Sequence, residues 1–274
     1  TNLPGTWRNK SDLRLHPGRS GTVTRPYGDD HSGFTLIELV VVIVIVGILS
    51  ALGGQFIVAP ITGYVDLSRR ARLVDQAEMA MRRMQRDIRA ALPNSIRIDP
   101  SGKYLELLNT VSGGRYRRYP DPDSAIGNDI LNFDADDNSF DVLGDLSRVP
   151  QAGEYLVIYN VSATGNSGNA YSQDSENIAS VTSGATDSIN FTDYTFATPS
   201  PYQRFFVVDG PVTYVCESGV LNRYDGYALS ATQPVPPTSV TEALVTRNVS
   251  DCEFTYDPGA TQRAGLVTLE ISLT

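Results

Sequence analysis

The sequence predicts an α+β protein, in which a long N-terminal helix precedes a mostly antiparallel β-rich head. The helix is indicated by the apolar segment Phe34–Val58 and by a helix-periodic stretch that ends at Leu92. From Pro93 onward, short runs of β-type residues alternate with Gly, Asn, Asp, Ser and Pro, as in strands joined by turns. Four segments follow from these patterns: 1–33, 34–58, 59–92 and 93–274.

Segment 34–58 is predicted to span a membrane. It has 25 residues and a single charged side chain, Glu38. As a helix it is about 37 Å long, which exceeds the roughly 30 Å hydrocarbon core of a bilayer. The alternative is a buried core helix, which rarely runs this far without polar breaks. The residues before it carry five basic and three acidic side chains, and this positive flank predicts a cytoplasmic N-terminus.

Segment 59–92 is predicted to continue the helix in amphipathic form, although Pro60 and nearby glycines weaken its start. Apolar residues recur in steps of three or four, which places them on one helix face against the head. We interpret Met81 and Met84 as core residues of that face. Pro93 and Asn94 are predicted to end the helix. The full stripe is Leu67, Ala71, Val74, Ala77, Met81, Met84, Ile88 and Ala91.

The head is predicted to be a set of short strands with polar connections. Residues Glu217–Gly219 are expected to form a tight hairpin turn. Residues Ser162–Glu176 are expected to form a mobile polar loop. The candidate strands are Tyr104–Leu108, Arg115–Tyr119, Ile130–Phe133, Glu154–Asn160, Ile178–Val181, Ser188–Phe191, Arg204–Val208, Val212–Cys216, Val220–Tyr224, Asp251–Tyr256 and Gly265–Leu273.

Composition and charge exclude several classes of function. The formal net charge of -9 argues against a nucleic-acid-binding protein, because phosphate neutralisation needs clustered Lys and Arg. Both histidines, His16 and His31, precede the apolar segment, so the rest of the chain cannot form a Ser–His or Cys–His nucleophile pair. Carboxylate-pair chemistry stays open by composition, but nothing marks such a pair. We therefore predict that the chain is not an enzyme and binds no cofactor.

The start of the apolar segment does not fit an ordinary secretory signal, because no small-residue cleavage site follows it. Instead a glycine, Gly33, stands just before it. The run GFTLIELVVVIVIVGIL resembles the processing motif of type IV prepilins and type II secretion pseudopilins. The resemblance implies a pilin-like fold and cleavage after Gly33 by a prepilin peptidase, which then N-methylates Phe34. Residues 1–33 would be a cleaved leader that is long for this family, and Thr1 leaves its true start open.

The same resemblance implies a role for Glu38. A charged group within an apolar membrane helix is costly and usually functional. In this family the carboxylate at this position pairs with the N-terminal ammonium of the adjacent subunit and sets the register of assembly. The alternative is a glutamate that merely reaches the membrane interface. The implied partners are prepilin peptidase, other major and minor pilins and an inner-membrane assembly platform. The implied location is the inner membrane with a periplasmic head, and then the fibre.

The head resembles one group within this superfamily more weakly. Three runs, ARLVDQAEMAMRRMQRDIRAALPNSIRI, SFDVLG and PYQRFFVVDGPVTYVCESGVLNRYDGYA, are similar to the O-type minor pilins of the mannose-sensitive haemagglutinin (MSHA) pilus system. That similarity implies a subunit that primes assembly or lies near the fibre tip. Two alternatives are a J-type pseudopilin of type II secretion and a tip adhesin. The chain ends inside a predicted strand, so we expect that final head residues could be absent.

Two further features of the head were interpreted from the residues alone. If the head is exported, Cys216 and Cys252 are predicted to form a disulfide, the alternative being two buried thiols. A weak calcium candidate combines the loop spacing of Asp134, Asp136 and Asn138 with Asp145 at the twelfth position. Its sixth position is serine rather than glycine and its flanks read as strands. We therefore favour a solvated acidic turn and expect no metal.

Overall fold

The computed structural model describes residues 33–123, 128–259 and 265–274, without the side chains of residues 54–59. The chain divides into two compact units, Thr1–Thr62 and Gly63–Thr274. One helix, α1, spans Leu36–Ala90, and the rest of the described chain is mostly antiparallel strand. The predicted α+β class is therefore confirmed, and it fits a pilin-like fold. Apart from Gly33, the predicted leader lies outside the described residues.

Eleven strands are present in the described part of the head. They are β1 (Arg97–Ile98), β2 (Tyr104–Arg115), β3 (Asp137–Asp141), β4 (Tyr155–Ile158), β5 (Ile178–Gly184), β6 (Ser188–Tyr194), β7 (Arg204–Glu217), β8 (Val220–Asp225), β9 (Thr241–Arg247), β10 (Val249–Asp257) and β11 (Leu266–Leu273).

The long strand β7 organises the larger sheet. The sheet order is β1-β2-β7-β4-β5-β6-β3, and every strand pair is antiparallel. One edge of β7 pairs with β2 along its whole length, whereas the other edge pairs with β4 in its first half and with β8 in its second. Gly210 lies between the two halves with a φ of 136°, a conformation that favours glycine. Strands β10 and β11 form a separate two-stranded sheet.

The head has two main apolar cores at opposite ends of the β2–β7 ribbon. The helix-proximal core contains Met84 of α1, Leu107 and Tyr214 of the ribbon, and Phe254 of β10. The helix-distal core lies between the far end of the ribbon and β3–β6, and it is dominated by aromatic side chains. A bridge from Tyr116 to Val142 returns the chain after β3 to the end of β2, so this end of the sheet curls around its core. The distal aromatic members are Tyr116, Phe140, Phe191, Phe196 and Phe205.

Only the last part of the predicted amphipathic stripe packs on the head. Met84 is fully buried and Ile88 packs against the same core. Leu67 and Val74, which were predicted to lie on the packed face, are 68% and 64% exposed. Their spacing is helical, but no strand of the described structure reaches them. Periodicity alone therefore predicted a longer contact between the helix and the head than the structure has.

A buried polar contact fastens the helix to the ribbon. Asp87 of α1 accepts hydrogen bonds from the Tyr214 hydroxyl at 2.8 Å and from Arg223 Nε at 3.0 Å. Burial, together with the neighbouring Asp87 carboxylate, raises the pKa of Tyr214 above its usual range. The tyrosine therefore stays neutral and keeps donating to the carboxylate at physiological pH.

Several predicted strands differ from the observed ones. Ile130–Phe133 is wrong as a strand, because Leu131 and Phe133 enter the distal core from an irregular segment and the strand is β3. Arg115–Tyr119 is wrong beyond Arg115, where β2 ends. Strands β1, β3 and β9 were not predicted, since they are short or rich in polar residues. The hairpin turn after Glu217 is confirmed, with Ser218 and Gly219 both at positive φ.

The loop Ser162–Glu176 is not a uniformly exposed polar loop. Its second half turns inward, and Tyr171 is only 1% exposed. The Tyr171 hydroxyl donates to the Ser95 carbonyl at 2.8 Å, and the Ala170 amide donates to Asn160 Oδ1 at 2.8 Å. A single buried aromatic thus anchors a segment whose composition alone predicts mobility.

Candidate processing and assembly site

The predicted processing residues lie at the open N-terminal end of the described chain. Gly33 and Phe34 precede α1 in irregular backbone, and the Phe34 side chain is 80% exposed. No described atom lies within 4 Å of where a Cβ on Gly33 would be. A protease could therefore reach this peptide bond without displacing any other described part of the chain.

Thr35 caps the first turn of α1. Its hydroxyl accepts a hydrogen bond from the Glu38 amide at 3.3 Å, and its carbonyl accepts one from the Leu39 amide at 3.1 Å. This is the pattern of an N-cap threonine three residues before a glutamate. The sequence signal, Thr-x-x-Glu, was present but was not used in the prediction. If the chain is cut after Gly33, the cap stays with the mature helix.

Glu38 lies in the first turn of α1 with its side chain exposed. A carboxylate there is favoured by the positive end of the helix dipole. Its carboxylate makes no ion pair with any side chain that the structure describes.

The beginning of α1 is an apolar surface without protein contacts. Within the described residues, Leu36–Gly53 is long and apolar enough to cross a membrane, with a mean hydropathy of 2.8 and none of its residues buried. Its isoleucine, leucine and valine side chains are exposed around the whole helix. A helix that is apolar on every side and whose residues are exposed in the described structure fits a lipid or a bundle of similar helices.

Comparison with protein families assigns this segment. Residues 29–53 match the family described as the prokaryotic N-terminal methylation motif. The chain carries a prokaryotic N-terminal methylation motif. The match supports the type IV prepilin and pseudopilin superfamily, and with the apolar helix it fits a membrane-anchored, single-pass protein. No curated protein and no solved structure matches the chain.

The two cysteines of the chain are joined in the head. Cys216, at the end of β7, forms a disulfide with Cys252 of β10, 36 residues later. Both cysteines are buried in the helix-proximal core. The bond connects the two-stranded sheet to the larger one. Lys103 reinforces this junction, because its Nζ donates to Asp251 Oδ1 at 2.9 Å and also to the Cys252 carbonyl.

The four residues of the calcium candidate are spread over a turn, a strand and a later loop. Asn138 belongs to β3, and its amide donates to Asp193 Oδ1 at 2.8 Å. Asp136 accepts a hydrogen bond from the Thr195 hydroxyl at 2.6 Å. Asp134 and Asp145 are both exposed. Among the described residues, no group of three or more His, Cys, Asp or Glu side chains could hold a metal ion.

Proposed function

We propose that this chain is a minor pilin, a structural subunit of a type IV pilus rather than an enzyme. The methylation motif at residues 29–53 carries the proposal. It coincides with an exposed apolar helix of membrane-spanning length and is followed by a β-rich head. A processed terminus, a lipid-compatible helix and a folded head are what an envelope-spanning fibre requires of its subunits.

The proposed route begins in the inner membrane. Segment 34–58 spans the bilayer, segment 59–92 continues the helix, and the head, 93–274, lies in the periplasm. Prepilin peptidase removes residues 1–33 and methylates Phe34. An inner-membrane assembly platform then inserts the chain among other major and minor pilins, where Glu38 binds the N-terminal ammonium of a neighbour.

Within the superfamily, we place the chain with the O-type minor pilins of the MSHA pilus, near the tip or in the priming complex. The similar runs in the helix and in the β7–β8 region support this assignment. A J-type pseudopilin of type II secretion is the alternative. The neighbouring genes separate the two, because pilus genes favour the first assignment and secretion genes favour the second.

Replacing Gly33 with leucine is expected to abolish processing. A side chain at this position would fill space that the peptidase must occupy. The control is Gly47→Ala, at an exposed helix position where an added Cβ would have no described atom within 4 Å, and it should leave processing intact. Immunoblotting should show only the longer band for Gly33→Leu. The unprocessed chain should also keep the fluorescence of Trp7, whereas processed protein has no tryptophan. Normal cleavage of the leucine variant would contradict the proposed site.

Replacing Glu38 with valine is expected to block incorporation into the fibre, because the buried ammonium of the neighbour would lose its counter-ion. Thr35→Ala is the matched control, since it weakens the helix cap by about 1 kcal/mol and leaves the carboxylate in place. The measurement is the amount of this subunit in sheared fibres relative to that in membranes. Equal incorporation of Glu38→Val and wild-type protein would argue against the pairing role.

A further inference from the structure

An unusual cluster of arginines lies at the helix-distal end of the head. Arg115 of β2 and Arg204 of β7 are direct cross-strand partners. Both are exposed, and each lies next to a residue of the distal core, Tyr116 or Phe205, so the arginines point outward together. Like charges directly opposite each other destabilise an antiparallel pair. The fold gains nothing from this pair, which suggests that it serves a ligand.

In the described part of the chain, no carboxylate forms an ion pair with either of these two arginines. The nearby Arg117 does have an acidic neighbour, since its Nη1 lies 4.0 Å from Asp121 Oδ2. Among the residues that the structure describes, none forms an ion pair with Arg115, Arg118 or Arg204. This is unexpected in a head in which 23 acidic residues outnumber 10 basic ones from Pro93 onward. Three unpaired arginines therefore lie close together in sequence or across strands on a domain whose net charge is strongly negative.

Two exposed tyrosines complete the surface, which we call the arginine–tyrosine patch: Arg115, Arg117, Arg118, Tyr119, Tyr202 and Arg204. The guanidinium of Arg204 lies 5.4 Å from the ring centroid of Tyr202, and that of Arg118 lies 5.5 Å from the ring of Tyr119. The rings are 64% and 71% exposed, respectively. Stacking restricts the guanidinium groups and leaves aromatic surface available beside them.

A depression of about 340 Å³ lies beside Arg115 and Arg204 of the patch. Its lining is Gly114, Arg115, Arg204, Phe205 and Phe206. Gly114 allows the distal core to pack closely beneath this strand, because a Cβ there would lie 3.0 Å from the Phe205 ring. The volume is within the range of small-ligand sites. Among the described residues that line it, the charged ones are Arg115 and Arg204, and guanidinium groups bind carboxylates in bidentate fashion.

The position of the patch favours a ligand outside the subunit. Strand β2 carries the chain about 36 Å from Tyr104 to Arg115, and α1 packs on the proximal core only. When subunits pack around their N-terminal helices, the face of the head that is remote from the helix stays accessible to other molecules. The acidic remainder of the head opposes a long, densely charged polyanion such as nucleic acid. A short saccharide with one carboxylate on each ring carries only a few charges, and its rings offer an apolar face to the tyrosines.

We propose that the arginine–tyrosine patch binds an acidic saccharide of the uronic-acid type. The carboxylate is held between Arg115 and Arg204, and neighbouring rings lie against Tyr119 and Tyr202. This function is independent of processing and assembly, and it goes beyond the proposed structural role.

The test is binding of tetragalacturonate to the full chain in lipid nanodiscs, measured by isothermal titration calorimetry. The fully methyl-esterified tetramer is the neutral ligand control. Wild-type protein should bind the acid and not the ester, and Arg115→Gln/Arg204→Gln should weaken binding at least tenfold. Arg247→Gln, which removes an exposed arginine from β9, should bind as wild type does.

The double variant also separates a binding role from a structural one. Removing the like-charge pair should raise the melting temperature by about 1–3 °C while binding is lost. The proposal is overturned if wild-type protein does not bind the acid, if the ester binds equally well, or if the double variant keeps its affinity. Tighter binding of a glutamate tetrapeptide or of a DNA oligonucleotide would likewise overturn it, and would assign the patch to a protein or nucleic-acid partner.

Discussion

Replacing Arg97 with methionine is expected to cost about 3–5 kcal/mol of the free energy of unfolding of the head, since it leaves a buried carboxylate without its partner. Arg97 Nε donates to Glu106 Oε2 at 2.6 Å, and the two side chains are 7% and 1% exposed. The second oxygen of Glu106 accepts a hydrogen bond from the Tyr227 hydroxyl at 3.1 Å. The carboxylate is therefore satisfied only as part of this network.

Arg97 also joins three separate parts of the head. Its terminal nitrogens donate to the carbonyls of Ser230 and Ala231 at 2.8 Å, and its guanidinium lies 3.7 Å from the ring centroid of Tyr171. One side chain thus fastens β1 to β2, to the segment after β8 and to the buried half of the 162–176 loop. The methionine variant should lose protection from hydrogen exchange in all three parts.

The loss should depend on pH. Burial raises the pKa of Glu106, although Arg97 and Tyr227 oppose that rise. Without Arg97 the pKa rises further above its unfolded value, so the folded variant binds a proton that the unfolded chain releases. Stability is then lost as pH increases through the folded-state pKa, and the deficit relative to wild type should be larger at pH 8 than at pH 5.

Denaturant unfolding of the full chain in detergent, followed by circular dichroism at both pH values, measures this effect. Arg97→Met/Glu106→Leu should recover much of the loss, because apolar replacements of a buried pair are often tolerated. Arg247→Met, at an exposed position, should change stability by less than about 0.5 kcal/mol. A small, pH-independent loss in Arg97→Met would contradict the network's role.

The helix and most of the longer strands were predictable, because both rest on local patterns. The apolar run, the three-and-four spacing around Met84 and the turn after Glu217 report directly on nearby backbone. The point along α1 at which its contact with the head ends was not predictable. Leu67 and Met84 belong to the same helix-periodic stripe and differ only in whether strands of the head reach them. Similarly, the residues around Tyr171 do not indicate that its side chain is buried or that its hydroxyl donates to the distant Ser95 carbonyl.

The residues of the two candidate sites also differ in how far they could be predicted from the sequence. Gly33, Phe34 and Glu38 are consecutive features of one motif and could be found from sequence. The pairing of Arg115 with Arg204 depends on the register between β2 and β7, which joins residues 89 positions apart. Arg115 was predicted to begin a strand rather than to end one. A cross-strand like-charge pair has no signature in the sequence, because neither arginine is unusual alone.

Reducing the Cys216–Cys252 disulfide is expected to lower the free energy of unfolding by about 4 kcal/mol, because it releases a closed loop of 36 residues in the unfolded chain. The folded state would also lose a direct link between β7 and β10. The other links in the described structure include the proximal core, Lys103 and two backbone hydrogen bonds, from the Phe254 amide to the Gly102 carbonyl at 2.9 Å and from the Val249 amide to the Gly219 carbonyl at 3.0 Å.

These weaker links predict a local effect that precedes global unfolding. After reduction, the amides of β10 and β11 should exchange with solvent faster than those of β4 and β5, which lie around the distal core and far from the bond. Hydrogen exchange with and without dithiothreitol measures the difference. Cys216→Ala/Cys252→Ala is the matched control, since dithiothreitol should not affect it. Unchanged stability and exchange after complete reduction would mean that packing alone holds the small sheet in place.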